Sequence, residues 1–375
     1  MKRYISLDFI RGFSAFLVLA NHLRSAIFFD YAQQSNPSPL IKLFYFITGL
    51  GHQSVIIFFV LSGFLVGGSI LKQSQRFNWT SYYIARLTRL WVVLIPALIL
   101  TVVIDYFITA QAPNVINGQY AEIWSSGPTF GNYSRSLSTF LGNLFFLQNI
   151  FFKVYGSNGP LWSLAYEFWY YTLFPVLLLS LGKLKTTSES SRPIQKAVAA
   201  LISITILVFL PLDAKIGFLS WCLGALMYWL YKKEIKIINS TLISFIIFLS
   251  VIFFSKFSQR YNTSPLLDDL LIGIGFSLLM LSLISNQSKN KLIHKTEKYI
   301  IFISEISYSL YLIHFPIIIF IASRFYKENQ MSPTLLGFAH YASWLLLITL
   351  LSYSFWLAFE SQTEKIKKKI MTKVS

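Results

Sequence analysis

Arg11 and His22 stand in the first long apolar stretch of the chain, Leu7-Asp-Phe-Ile-Arg-Gly-Phe-Ser-Ala-Phe-Leu-Val-Leu-Ala-Asn-His22. The stretch reads as a membrane-spanning helix. An ionisable side chain inside such a helix is costly, so each of the two is a functional candidate by default. Eleven positions separate them, about three helical turns, so both leave one face, ~16 Å apart along the axis. A cation near one membrane surface and an imidazole well inside, in line, fit a long anionic ligand whose far end reaches the imidazole. Each residue also has a plainer reading. Arg11 can snorkel and pair with Asp8 at i,i+3. His22 can be a buried polar contact between helices. Their shared face favours function.

Further candidates follow along the chain. Arg86 and Arg89, in Tyr82-Tyr-Ile-Ala-Arg-Leu-Thr-Arg-Leu-Trp91, are neighbours on one helical face and can bind phosphates of a nucleotide-like cofactor. On the residues alone they read as basic anchoring at the membrane surface. Gly159-Pro-Leu-Trp162-Ser163-Leu-Ala-Tyr166-Glu167 opens an apolar run and sets Glu167 at a depth comparable to His22. There a carboxylate can orient an imidazole or hold a substrate. Ser304, Ser307, Tyr308, Tyr311 and His314 recur at helical spacing and make a polar stripe in an apolar helix. Such a stripe should face protein or a cavity. His314 is read as structural or substrate-lining rather than catalytic. Trp162, Ser163, Tyr308 and Tyr311 join it as candidate substrate contacts. His340 and Glu360 are weaker signals, His52 is read as surface-exposed and His294 as solvated in a loop. Nothing in the chain matches HExxH, GxSxG or GxxxxGK[ST], and a metal is not supported.

The elements that must position these residues are apolar helices. The 375-residue chain is 55% hydrophobic and 13% charged, with mean hydropathy +0.57. A soluble domain carries about 25% charged residues. The chain therefore reads as an all-α, polytopic membrane protein of about ten transmembrane helices, near residues 7–28, 46–71, 88–110, 161–182, 196–212, 216–231, 240–256, 268–285, 300–322 and 336–358. The segment 138–152 is too short and too polar to span, and reads as re-entrant or interfacial. Small residues Ser62, Gly63, Gly67 and Gly68 in the second span allow close helix approach. With the N-terminus inside, twenty-two of the 32 Lys and Arg fall in inner segments and nine in outer ones. That bias sets both termini in the cytoplasm. It also accounts for the net charge of +17 without nucleic acid, since basic inner loops contact anionic lipid. The single Cys222 forms no intrachain disulfide. The first apolar run is read as a retained helix, because Asp8, Arg11, Asn21 and His22 interrupt it. Residues 1–360 are expected to form one integral membrane domain and 361–375 a short basic cytoplasmic tail. The long outer loop, 111–160, is either a lid or a connector.

These motifs, in this order, resemble the acyltransferase-3 family of integral membrane acyltransferases over nearly the whole chain. The carriers are Arg11-x10-His22, Phe58-Phe-Val-Leu-Ser-Gly-Phe64, Arg86-Leu-Thr-Arg89, Leu161-Trp-Ser-Leu-Ala-Tyr-Glu167, Ile306-Ser-Tyr-Ser-Leu-Tyr-Leu-Ile-His314 and Ser352-Tyr-Ser-Phe-Trp-Leu-Ala-Phe-Glu360. The resemblance implies an enzyme of the bacterial cytoplasmic membrane. It takes an acyl group, usually acetyl, from cytoplasmic acetyl-CoA or another short acyl-CoA. It passes the group to a hydroxyl of a cell-surface polysaccharide or a lipid-linked oligosaccharide precursor. Carried over by motif, His22 and Glu167 are the catalytic candidates and Arg11, Arg86 and Arg89 the donor-binding ones. Two departures stand out. The proline usual soon after the arginine pair is displaced to Pro96, and the extracytoplasmic esterase-like domain of some relatives is not present. The rival readings are a glycan exporter and a non-catalytic subunit of a glycan-synthesis complex. The sugar, the acyl group and the oligomeric state are not legible in the sequence.

Overall fold

Where lipid replaces water, every backbone polar group must be satisfied within the protein, and long apolar segments answer by forming helices. A computed structural model describes residues 3–374 except 122–123, 125–126, 187–192, 261–263, 287–290 and 328, and the backbone alone of 259–260 and 291–295. It is 78% helix. Extended pairing among the described residues is limited to isolated bridges such as Phe28 with Met331. The long helices are α1 (Ile5–Ile27), α3 (Gly51–Ser62) with its continuation α4 (Gly68–Lys72), α5 (Trp79–Gln111), α8 (Leu161–Ser180), α9 (Pro193–Phe209), α10 (Leu212–Lys232), α11 (Thr241–Arg260), α12 (Pro265–Ser285), α13 (Lys291–Phe325) and α14 (Leu335–Ala358). A π-helical turn, Gly63–Gly67, joins α3 to α4. Shorter pieces are α2 (Pro39–Thr48), α6 (Pro113–Ile116), α7 (Leu137–Leu144) and the terminal α15 (Thr363–Val374).

Six stretches among the described residues are long and apolar enough to cross a membrane: Gly51–Lys72, Trp79–Gln111, Thr241–Ser258, Pro265–Ser285, Thr296–Phe325 and Leu335–Val374. Helices also lie at the four other expected positions, but α1, α8 and α10 are not apolar enough to be counted and α9 has only 17 residues. Several boundaries move. The second span starts at Gly51 rather than residue 46, because the helix preceding it ends at Thr48. The segment 138–152 is a short helix, Leu137–Leu144, followed by turns with Phe146 and Asn149 at positive φ. His294 belongs to α13 rather than to a loop, and its side chain lies outside the described residues.

The helices pack as two compact units. One comprises Met1–Gly12, Gln53–Tyr83 and Tyr166–Ser304; the other comprises Phe13–His52, Ile84–Ala165 and Glu305–Ser375. The first centres on Leu7, Val60, Phe64, Met227, Phe276 and Met280, all buried. In lipid, helices gain little from hiding apolar surface, so close van der Waals approach carries the association. The expected Gly63 does this work, together with Gly224 on α10. A Cβ on Gly63 would lie 1.8 Å from the Trp221 carbonyl oxygen, and one on Gly224 would lie 2.0 Å from that of Val60. Only bare backbones fit at those crossings.

The second unit holds an aromatic cluster of Phe28, Phe44, Phe338 and Tyr341. Described residues of its loop 111–160 are tied to α5. Asp105, fully buried on α5, accepts from the Ser157 backbone at 2.9 Å, the Ser157 hydroxyl at 2.6 Å and the Tyr133 hydroxyl at 3.2 Å. Burial raises the Tyr133 hydroxyl pKa, and the neighbouring Asp105 charge raises it further.

Two prolines inside helices are compensated in the same way, one in each unit. A proline has no N–H for the carbonyl four residues earlier. Pro175 therefore releases the Tyr171 carbonyl, which accepts from the Tyr82 hydroxyl at 2.8 Å. Pro316 releases the Leu312 carbonyl, which accepts from the Asn158 amide at 2.9 Å.

Candidate active site

His22 lies on α1 within the second unit. Its ring is 4.7 Å from the Phe315 ring, edge to face, and 5.4 Å from the His314 ring. His314 is 1% exposed on α13. Its Nδ1 sits 3.0 Å from the Leu310 carbonyl oxygen and 2.8 Å from that of Tyr311. His22 Nδ1 and His314 Nε2 are both buried without a hydrogen-bond partner. Such atoms are rare in folded proteins because each forfeits its water without a replacement.

Tyr311 extends this cluster, its ring 5.8 Å from His314. Its hydroxyl lies 2.6 Å from Ser163 Oγ, and both hydroxyls reach the Pro160 carbonyl, at 3.2 and 3.1 Å. The first turn of α8 thus presents a polar edge. Gly159 precedes it, with an added Cβ meeting the Phe315 ring at 3.4 Å. Trp162 is half-buried on the same turn. The structure therefore brings together His22, His314, Tyr311 and Ser163, four of the expected residues from three helices. Each alone reads as a polar interruption. Together they form a cluster of polar side chains in the second unit.

A second group gathers around Arg89. Its guanidinium lies 5.6 Å from the Tyr308 ring centroid and 3.3 Å from the Glu360 carboxylate. The Tyr308 hydroxyl donates to the Leu90 carbonyl at 3.2 Å. Tyr308 thus packs against Arg89. Arg86, half-buried, is one helical turn before Arg89 on α5.

In the first unit, Arg11 is held by Asp8 at 3.1 Å and by Ser304 Oγ at 2.8 Å from its Nε. The expected Asp8 pairing is present, and Ser304 adds to it. Glu167 ends a relay in which Trp221 donates to Ser62 at 3.1 Å, Ser62 to Tyr171 at 3.2 Å and Tyr171 to Glu167 at 2.5 Å. That chain holds the carboxylate in one orientation.

Three polar residues with structural weight were missed or underweighted in the sequence reading. Asp105 could have been found by the rule that singled out Arg11, since it is an acid inside the apolar run of α5. Glu360 was visible only as a weak signal. Asn158 carries no local signal, because its role is set by a proline on another helix.

The comparisons with known proteins agree with the fold. An uncharacterized protein of Haemophilus influenzae is 30% identical over 132 residues, 33% of this chain and 47% of that protein. The chain thus spans about half the length of that relative. No solved structure matches. The acyltransferase domain model of the acyltransferase-3 type matches residues 4–359. With nearly its whole length matched and its helices fit to cross a membrane, the chain is a membrane protein that belongs to the acyltransferase-3 family.

Proposed function

We propose that the protein moves an acetyl group from cytoplasmic acetyl-CoA to a hydroxyl of a cell-surface polysaccharide or its lipid-linked precursor, at the bacterial cytoplasmic membrane with both termini inside. The observation that carries this reading is the half-buried imidazole of His22, its Nδ1 shut off from solvent, beside His314 in a polar cluster of the second unit. A buried ring nitrogen without a structural partner is expensive unless a ligand or a reaction uses it.

His22 acts as general base on the acceptor hydroxyl. The hydroxyl oxygen attacks the thioester carbonyl, the carbon–sulfur bond breaks, and the coenzyme A sulfur leaves as thiol after taking the proton back. Arg86 and Arg89 meet phosphate oxygens of the donor, since a guanidinium offers five donors in a fork that matches phosphate. Arg11 keeps the donor-binding role that its motif implies. Glu167, held by the Tyr171 hydroxyl, contacts the acceptor sugar. Trp162, Ser163 and Tyr311 line its path, with His314 beside them. Tyr308 supports Arg89.

Membranes carrying the full chain, incubated with radiolabelled acetyl-CoA, should transfer label to the glycan fraction, and His22→Ala should abolish the transfer while acetyl-CoA binding persists. Transfer by His22→Ala at the wild-type rate would remove His22 from the chemistry. Absence of acetyl-CoA binding by the wild-type protein would remove the donor.

A further inference from the structure

We propose that His314 is a positioning residue for His22: its Nε2 accepts a hydrogen bond from His22 Nδ1–H and thereby leaves His22 Nε2 as the proton acceptor. The proposal rests on the reading of His22 as the base. It assigns the orientation of that base to a second histidine.

The argument begins at the backbone. The Leu310 and Tyr311 carbonyl oxygens, within 3.0 Å of His314 Nδ1, can only accept. His314 Nδ1 must therefore carry the hydrogen. In a neutral imidazole the other nitrogen is then bare, so His314 Nε2 is an acceptor. That atom is buried and has no partner. The nearest ring with a complementary need is His22, whose Nδ1 is likewise buried without a partner.

The two rings are 5.4 Å apart at their centroids with planes inclined by 31°. The two nitrogens are not hydrogen-bonded to each other in this arrangement, but at this separation a turn of the His22 ring that faces them brings them to the ~3 Å that such a bond needs. The edge-to-face contact with Phe315, at 4.7 Å, limits how far the His22 ring can turn away. One aligned arrangement then satisfies both orphaned nitrogens. It also selects one tautomer of His22, with hydrogen on Nδ1 and the lone pair on Nε2.

The chemistry balances without another group. As the acceptor oxygen bonds to the acyl carbon, its proton passes to His22 Nε2. His22 is then an imidazolium whose Nδ1–H points at the His314 lone pair, which spreads the new charge. When the carbon–sulfur bond breaks, the sulfur takes the proton from His22 Nε2 and the original tautomer returns. His314 exchanges no proton in the cycle. An imidazole in the acceptor tautomer thus does what a carboxylate does in other base–orienter pairs.

The test uses the full-length chain in lipid bilayers with ¹⁵N-labelled histidine. The sequence holds five histidines, so the His22 signals can be assigned by their loss in His22→Gln. The expected wild-type state is the Nδ1–H tautomer at His22. In His314→Asn the amide keeps a donor toward the Leu310 and Tyr311 carbonyls but places nothing at Nε2. His22 should then lose its tautomer preference, and acetyl transfer from radiolabelled acetyl-CoA should fall about 10²-fold with donor binding unchanged. His314→Gln places an amide oxygen near Nε2 and should restore part of the rate. An Nε2–H tautomer at His22 in the wild-type protein would overturn the proposal, whatever the variants do. So would an unchanged tautomer and rate in His314→Asn. If His22→Ala is inactive while His314→Asn is fully active, this proposal alone fails. If His22→Ala is itself active, the base reading has failed first.

Discussion

Arg89 on α5 and Glu360 beyond the end of α14 form an ion pair at 3.3 Å, and the same carboxylate grips the backbone of α13. Glu360 Oε2 accepts from the Ser309 N–H at 3.0 Å and from the Ser309 hydroxyl at 2.7 Å. The Glu360 side chain is 3% exposed and that of Arg89 43%. A carboxylate this buried is tolerable only because every partner is in place. The arrangement holds a proposed donor-binding arginine against two other helices.

Glu360→Ala should therefore lower stability by about 2–3 kcal/mol, most of it from the Ser309 donors left without an acceptor, since the half-exposed arginine is screened by solvent. Glu360→Gln keeps an acceptor for Ser309 and should cost about 1 kcal/mol. Thermal unfolding in detergent would order the three proteins. The glutamine variant should still bind acetyl-CoA more weakly than wild type, because Arg89 is no longer held. Equal melting temperatures for the two variants would contradict this account of the pair.

Gly63→Ala should be among the most damaging small substitutions in the chain. Its Cβ would lie 1.8 Å from a backbone oxygen of α10, which has no rotamer to move, so α3 and α10 must separate. A loss of more than about 3 kcal/mol, or no folded protein by size exclusion, is expected. Gly275→Ala is the control. Its Cβ would meet the Val251 side chain at 3.3 Å, which can shift by a few tenths of an ångström. A Gly63→Ala protein as stable as the control would mean that the crossing is looser than described.

Asn158 and Pro316 should be energetically coupled. Asn158→Ala strands the Leu312 carbonyl and should cost about 1–3 kcal/mol. Pro316→Ala returns a backbone N–H to that carbonyl, so Asn158→Ala should cost less in its background. A double-mutant cycle on thermal stability would read a coupling of about 1 kcal/mol. Strict additivity would show that the amide is not replacing the missing N–H.

Topology gives a prediction independent of chemistry. In a chain with Cys222 replaced by Ser, a single cysteine at Phe130, 88% exposed in the loop 111–160, should react with an impermeant maleimide added to intact cells if the proposed orientation holds. A cysteine at Lys368 in α15 should react only in inverted vesicles. Labelling of both sites from one side would overturn the cytoplasmic assignment of the termini.

The sequence by itself determined the class of structure. Long apolar runs must become helices in a membrane, where unsatisfied backbone is too costly, and small residues at Gly63 and Gly67 foretold a close crossing. The cost of placing ionisable groups in a membrane made Arg11, His22, Glu167 and His314 legible one by one, from their positions in apolar runs. Span edges were less legible, because hydropathy does not report where a helix breaks, as it does after Thr48. A local pair such as Arg11 with Asp8 was legible, but side-chain partners on other helices were not. Which carbonyl Pro316 would strand is written locally; that Asn158 answers it is not. That His22 meets His314, and Arg89 meets Glu360, depends on how helices far apart in the chain pack. Spacing along one helix fixes which face a side chain leaves by, whereas its partner is chosen by the packing of the others. Only the tertiary structure could show that two imidazoles lie close together, each with one nitrogen unsatisfied.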